Sequence, residues 1–342
     1  MEQKQKRIEY IDLAKGLCIG LVVSYHIDLE QYFYANEKVS SFFFAFRMPL
    51  YYILSGIFLS IRGGEYLEFV QKKINRLLVP FVFFVVATNI YYYIKHLTIH
   101  TPFQYISPLF FLFTENSYNL LNNPLWFLAS LYTTYVIFAL LHYLFNGKAY
   151  KIYAASLFLG IIGYLSGMYK INIPFYLDTS LTCMPFICAG IIIRKNSNIL
   201  TNNRNKTYNL ALSTICFLVV YYSCSGENLF YENNFGNNYF VVLLTGICGS
   251  LGIILLCKTI VKLPVISYIG RYSIIVLGVH TIIINEMKDF FLCKFTQFIY
   301  WEITTFVVVI ILSYALIHLF IKYIPFLVAQ KDFVRFTFLK KQ

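Results

Sequence analysis

Windows of about 20 predominantly apolar residues, the length a helix needs to cross a hydrocarbon core, recur along this chain. They fall near 11–30, 42–60, 77–96, 124–145, 150–168, 176–193, 207–225, 238–257, 272–287 and 300–323. Inside lipid only helices and closed barrels satisfy every backbone N–H and C=O internally, and runs of this length predict helices. The chain is therefore expected to be all-α: a polytopic transmembrane helical bundle of about ten spans, forming a single domain over residues 1–342 with no separate soluble domain. A further stretch at 103–113, FQYISPLFFLF, has the composition of an interfacial or re-entrant piece and leaves eleven segments open. Only 13% of residues are charged and 58% are hydrophobic, against roughly 25% charged in soluble domains.

An even number of spans places both termini on one side, and basic residues identify that side. The segments RGGEYLEFVQKKINR, NGKAYK, RKNSNILTNNRNK, KTIVK with Arg271, and the tail KDFVRFTFLKK all fall with the N-terminus. Only Lys38, Lys95, Lys170, Lys288 and Lys294 fall opposite, with Arg47 inside a span. Short cytoplasmic loops carry the basic excess, so both termini are expected in the cytoplasm. Acidic residues such as Asp28, Glu37, Asp178 and Glu227 gather on the other face. The net charge of +12 thus expresses topology, and nucleic acid is not an expected partner. The basic start KQKR lacks a following small-residue cleavage site, and Asp12 and Lys15 interrupt the apolar run, so the first window is expected to stay as a span.

Eight cysteines without any C-x-x-C pair indicate neither a zinc site nor a disulfide framework. His96 and His100 stand four apart but lack a third ligand nearby. No metal is expected.

The ionisable residues inside apolar windows carry the functional signal. In IDLAKGLCIGLVVSYHI, Lys15 and His26 are eleven positions apart. That step returns to within roughly 20° of one helix face and rises about 16 Å. A charge in mid-span costs about 3 kcal/mol on insertion scales, so such residues are functional suspects. A plainer reading pairs Asp12 with Lys15 at the cytoplasmic rim and leaves His26 an interhelical hydrogen bond. In the next window, FFFAFRMPLYYILSGIFLS, Arg47 lies about as far from the outer end as His26 does, so both share a depth. Pro49 is expected to bend that helix, while Ser55 and Gly56 allow close backbone approach. Lys72, Lys73 and Arg76 enter the third window, with Lys73 and Arg76 three apart on one face. They suit phosphate, although ordinary positive-inside charges look similar.

The segments DLAKG with its Lys15 to His26 spacing, FRMPLYYILSG, KINRLLVPF and NNPLWFLASLY together resemble membrane acyltransferase family 3, most closely its branch of surface-sugar O-acetyltransferases. SYIGRYSIIVLGVH resembles it more weakly. The resemblance implies a ten-span enzyme of the bacterial cytoplasmic membrane that uses acyl-CoA, most simply acetyl-CoA, to O-acylate capsule, lipopolysaccharide or exopolysaccharide. It maps the family's basic residue and histidine onto Lys15 and His26, and its R-x-x-R motif onto Lys73 and Arg76. Lysine replaces the commoner arginine at positions 15 and 73, which keeps charge but loses bidentate geometry. The optional extracellular catalytic domain has no counterpart here, so transfer is expected to finish in the membrane domain or with a partner.

On this reading Lys15, Lys73 and Arg76 bind the donor's phosphates. His26 serves as base or transient acyl carrier with Arg47 beside it, and the partners are membrane lipids, acyl-CoA, a glycan or lipid-linked sugar, and polysaccharide-biosynthesis proteins. Trp126, His280 and Glu302 are further candidates, for stacking on a sugar or orienting His26. The alternative is a secondary transporter or glycan flippase, which also needs bent helices and intramembrane Arg and His. Pseudo-symmetry between halves would favour it, and none is visible in the sequence.

Overall fold

A computed structural model describes residues 8–27, 37–61, 66–95, 120–196, 205–294 and 300–334. Those residues are almost entirely helical. Helix α1 spans Glu9–His26, α2 Glu37–Ile57, α3 Tyr66–Lys95, α4 Trp126–Leu144, α5 Ala149–Met168 and α6 Leu177–Lys195. They continue with α7 Lys206–Ser223, α8 Tyr239–Ile260, α9 Pro264–Arg271, α10 Ser273–Lys294 and α11 Trp301–Tyr323. The only sheet among the described residues is a hairpin between α7 and α8, in which β1 (Asn228–Leu229) pairs antiparallel with β2 (Asn234–Phe235).

A helix lies across each of the ten apolar windows. Among the described residues, six helices are long and apolar enough to cross a membrane by themselves, and α9 with α10, bent by 95°, makes a seventh. Helices α1, α2 and α7 fall outside that set because they carry the polar cargo: Glu9, Asp12 and Lys15 in α1, Arg47 in α2, and Lys206 with Asn209 in α7. Ten spans and cytoplasmic termini stay expectations drawn from hydropathy and charge. The stretch 103–113 and the pair His96 and His100 lie outside the described residues.

Lipid tails give helices no hydrophobic reason to associate, so membrane bundles pack through small residues and interhelical hydrogen bonds. Both devices operate here. The Tyr52 hydroxyl meets Ser130 Oγ at 2.8 Å, and Ser130 meets Ser180 Oγ at 3.0 Å, joining α2, α4 and α6. Gly56 of α2 and Gly190 of α6 lie backbone to backbone, and a Cβ on Gly190 would sit 2.1 Å from the Ile53 carbonyl oxygen. Pro49 is absorbed within α2, which stays one continuous helix. Asparagine side chains start the helices that follow loops: Asn205 accepts from Thr207 N at 3.3 Å, and Asn238 from Val241 N at 3.0 Å, as expected of N-caps.

Layering separates centre from periphery. Of the apolar stretch of each helix, 72% is buried in α4 and in α6, against 28% in α5 and 22% in α11, so the last two present their faces to lipid. Helix α1 lies inside, packed on α2, α8, α9 and α10. The short helix α9 begins at Pro264, where proline suits the first turn, and turns at Tyr272 into α10. It is seated on α1 by Gly16 and Gly270: a Cβ on Gly270 would lie 2.0 Å from the Asp12 carbonyl oxygen, and one on Gly16 2.1 Å from that of Ile266. This contact fixes what α10 sets beside the end of α1.

Candidate active site

His26 ends α1, and a cavity of about 210 Å³ opens against it. Arg47 and Tyr25 line the same cavity, and the Arg47 guanidinium lies 4.1 Å from the Tyr25 ring centre and 4.7 Å from that of Phe44. Arg47 is buried within the bundle and does not extend toward headgroups. Trp126 closes another wall and packs on Phe127 and Tyr176, with ring centres 6.1 and 6.0 Å away. At 5% exposure it is no headgroup anchor. From the hairpin side come Asn228, Leu229, Phe230 and Tyr231. Burial first, then the neighbouring Glu232, pushes the Tyr231 phenol up, so it remains a hydrogen-bond donor.

His280 arrives from α10, its ring centre 5.4 Å from that of His26. Its Nδ1 donates to the Val276 carbonyl at 3.0 Å, and Nε2 is buried without a hydrogen-bond partner among the described residues. A donating Nδ1–H leaves Nε2 as an acceptor. Glu302 is buried in the first turn of α11 but lines neither this cavity nor the next.

A second cavity of about 250 Å³ lies toward the other end of α1 and contains Lys15, Lys73, Arg76 and Arg271. The expected Lys73 and Arg76 pair is thus brought together with Lys15, but on altered geometry. Residues Ile74–Leu78 form a π turn inside α3, a wide, rare turn that is frequent at functional sites. Lys73 Nζ sits 3.7 Å from the Tyr135 ring centre, and Lys15 Nζ 5.4 Å from that of Phe58. Arg76 Nη1 also donates to the Ala329 carbonyl, tying the segment after α11 to this cavity. Lys72 leaves the cluster: it pairs with Glu68 at 2.5 Å on an exposed face.

The two cavities share a wall. Tyr51 and Phe127 line both, with ring centres 5.2 Å apart at 44°. The Tyr51 hydroxyl reaches the Lys15 carbonyl at 3.4 Å. A basic chamber and a chamber holding His, Arg and Trp are therefore separated by one pair of aromatic rings.

Arg271, Tyr51, Phe127, Asn123 and Asn228 were not singled out from sequence as site residues. Arg271 reads there as one more cytoplasmic charge, and only the fold, at the bend between α9 and α10, sets this exposed side chain at the edge of the basic cavity. The others lack any ionisable signal in an apolar background. No group of three or more metal-ligating side chains occurs among the described residues.

Neither a curated protein nor a solved structure gives a significant match to this chain. A family model described as an acyltransferase domain, that of acyltransferase family 3, matches residues 8–318. That range contains every residue of both chambers except those contributed by the segment after α11. With nearly its whole length matched, the chain belongs to membrane acyltransferase family 3.

Proposed function

We propose that this membrane acyltransferase carries an acetyl group from cytoplasmic acetyl-CoA to a hydroxyl of a cell-surface or lipid-linked sugar. The observation that supports it is the pair of chambers on one helix, basic at Lys15 and reactive at His26, meeting at Tyr51 and Phe127. Lys15, Lys73, Arg76 and Arg271 suit the diphosphate and phosphate of the donor through charge-assisted hydrogen bonds. The pantetheine arm follows α1 over about 16 Å, and the thioester passes the aromatic pair to reach His26.

Neutral His26 takes the proton of the sugar hydroxyl as that oxygen bonds to the thioester carbonyl carbon. Arg47 faces the negative charge developing on the carbonyl oxygen. The C–S bond then breaks, His26 returns the proton to the sulfur, and ester and free CoA leave. His280, its Nδ1 occupied by Val276, offers Nε2 to a proton on His26 and so orients the ring. Trp126 supplies an apolar face for the sugar ring. Glu302 has no part in this scheme.

The test is His26→Ala at unchanged expression, with O-acetyl content of the cell's surface polysaccharide read by NMR. Removal of a general base is expected to lower transfer by about 100-fold or more. Undiminished acetylation would refute the role of His26. Acyl transfer to the glycan, absent for a transporter or flippase, also separates the two readings.

A further inference from the structure

Two asparagines on the wall of the His26 chamber bury side-chain amide atoms that no described residue satisfies. Asn228, in β1, is 3% exposed, and both its Nδ2 and Oδ1 are buried without a hydrogen-bond partner among the described residues. Asn123, in the turn before α4, buries an equally unpartnered Oδ1. Both line the cavity beside His26 and Arg47. A buried amide group left unpaired is destabilising, so such groups call for an explanation.

Their neighbours show what structural asparagines look like in this fold. Asn122, adjacent to Asn123, uses its whole amide: Nδ2 donates to Gly278 O at 2.8 Å and Thr88 Oγ1 at 3.2 Å, and Oδ1 accepts from Thr281 Oγ1 at 2.9 Å. Asn233, in the same hairpin as Asn228, donates to Gly163 O at 2.6 Å and accepts from Thr182 Oγ1 at 2.8 Å. Asn122 ties α3, α4 and α10 together, and Asn233 ties the hairpin to the bundle. Asn123 and Asn228 do neither, and both sit where a substrate has to lie.

We infer that Asn228, with Asn123, is the acceptor-recognition site, its amide donor and acceptor reading the hydroxyls that flank the reacting one on a sugar ring. This rests on the acyl-transfer reading above and names the residues that select its acceptor. One carboxamide presents a donor and an acceptor side by side, which matches two neighbouring hydroxyls, each able to give and take a hydrogen bond. Trp126 provides the apolar platform in the same wall. A cavity of about 210 Å³ is smaller than the roughly 300–1,000 Å³ of drug-sized pockets, so it admits a single glycan residue. The hairpin between α7 and α8 is thus a specificity element as well as a connection.

The experiment uses the full-length protein in nanodiscs, acetyl-CoA, and surface polysaccharide extracted from a His26→Ala strain so that its hydroxyls are free. Asn228→Leu and Asn123→Ala are compared with wild type for acceptor KM, acetyl-CoA Kd and Tm. Loss of one hydrogen-bonding amide is expected to raise the acceptor KM about tenfold, with acetyl-CoA Kd unchanged and Tm unchanged or higher. A lower Tm with unchanged acceptor KM in both variants overturns the assignment, because the amides would then be structural. Wild-type transfer with unaltered acceptor KM in both variants also overturns it while leaving the acyl-transfer reading standing. A wild-type protein that binds acetyl-CoA but acetylates no polysaccharide overturns both.

Discussion

Arg76 holds two positions at once. It lines the basic chamber and also donates to the Ala329 carbonyl, so its removal disturbs both charge and the segment after α11. Arg271 is the cleaner probe, since its guanidinium meets the chamber and the Tyr272 ring, 5.1 Å away. Arg271→Ala is expected to weaken acetyl-CoA binding on the order of tenfold, measured by calorimetry; an unchanged Kd would remove Arg271 from the donor site. At the other chamber, Arg47→Lys keeps the charge and loses the planar fork. It should lower kcat by about 10- to 100-fold with little change in acetyl-CoA Kd, seen in steady-state assays. Lys15, His26 and Arg47 were legible in the sequence because a charge inside an apolar run stands out and helical spacing gives its face. Asn228 was not, because an asparagine in a loop is ordinary until its amide is found buried and idle. His280 was readable as an intramembrane histidine, but its nearness to His26 depends on packing between helices 254 positions apart in number.

Among the elements, α9 and α10 depart furthest from the sequence reading. The short ninth window at 272–287 resolves into a helix bent by 95° from the one before it. The bend is held by Gly16 against Gly270, where no side chain fits between α1 and α9. Gly270→Val places atoms within the Asp12 and Gly16 backbones and is expected to cost about 1–3 kcal/mol. A drop in Tm of the purified protein checks this, and the same variant should lose acyl transfer because α9 and α10 carry both Arg271 and His280. The π turn at Ile74–Leu78 is a second departure. Residue spacing of three predicts a shared α-helical face for Lys73 and Arg76; the wider turn changes the angle between them and still delivers both to one chamber. Apolar windows locate helices well, yet they do not encode a bend between two helices or a locally widened turn, since both depend on which neighbour the backbone must accommodate.

For the whole molecule, the consequential feature is the wall between chambers. Tyr51 and Phe127 are the side chains an acyl group has to pass on the proposed path, so their bulk sets the acyl length accepted. Phe127→Leu is expected to raise the preference for propionyl-CoA relative to acetyl-CoA by roughly tenfold, the scale of one methylene in a tight pocket. Competition between the two donors in one assay measures it, and an unchanged ratio would show that selection occurs elsewhere. The sequence by itself determined that the chain is a helical membrane bundle, that α1 carries a cation and an imidazole on one face, and that its motifs resemble an acyltransferase family. The first two follow from hydropathy, charge and helical period and the third from short motifs, all of which are local. Only the tertiary structure decided that Arg271 joins Lys15, that His280 meets His26, that Asn123 and Asn228 face the reactive chamber, and that two aromatic rings divide it from the basic one. Each of these is a contact between segments remote in sequence, fixed by glycine-mediated backbone approach and interhelical hydrogen bonds that no single segment encodes alone.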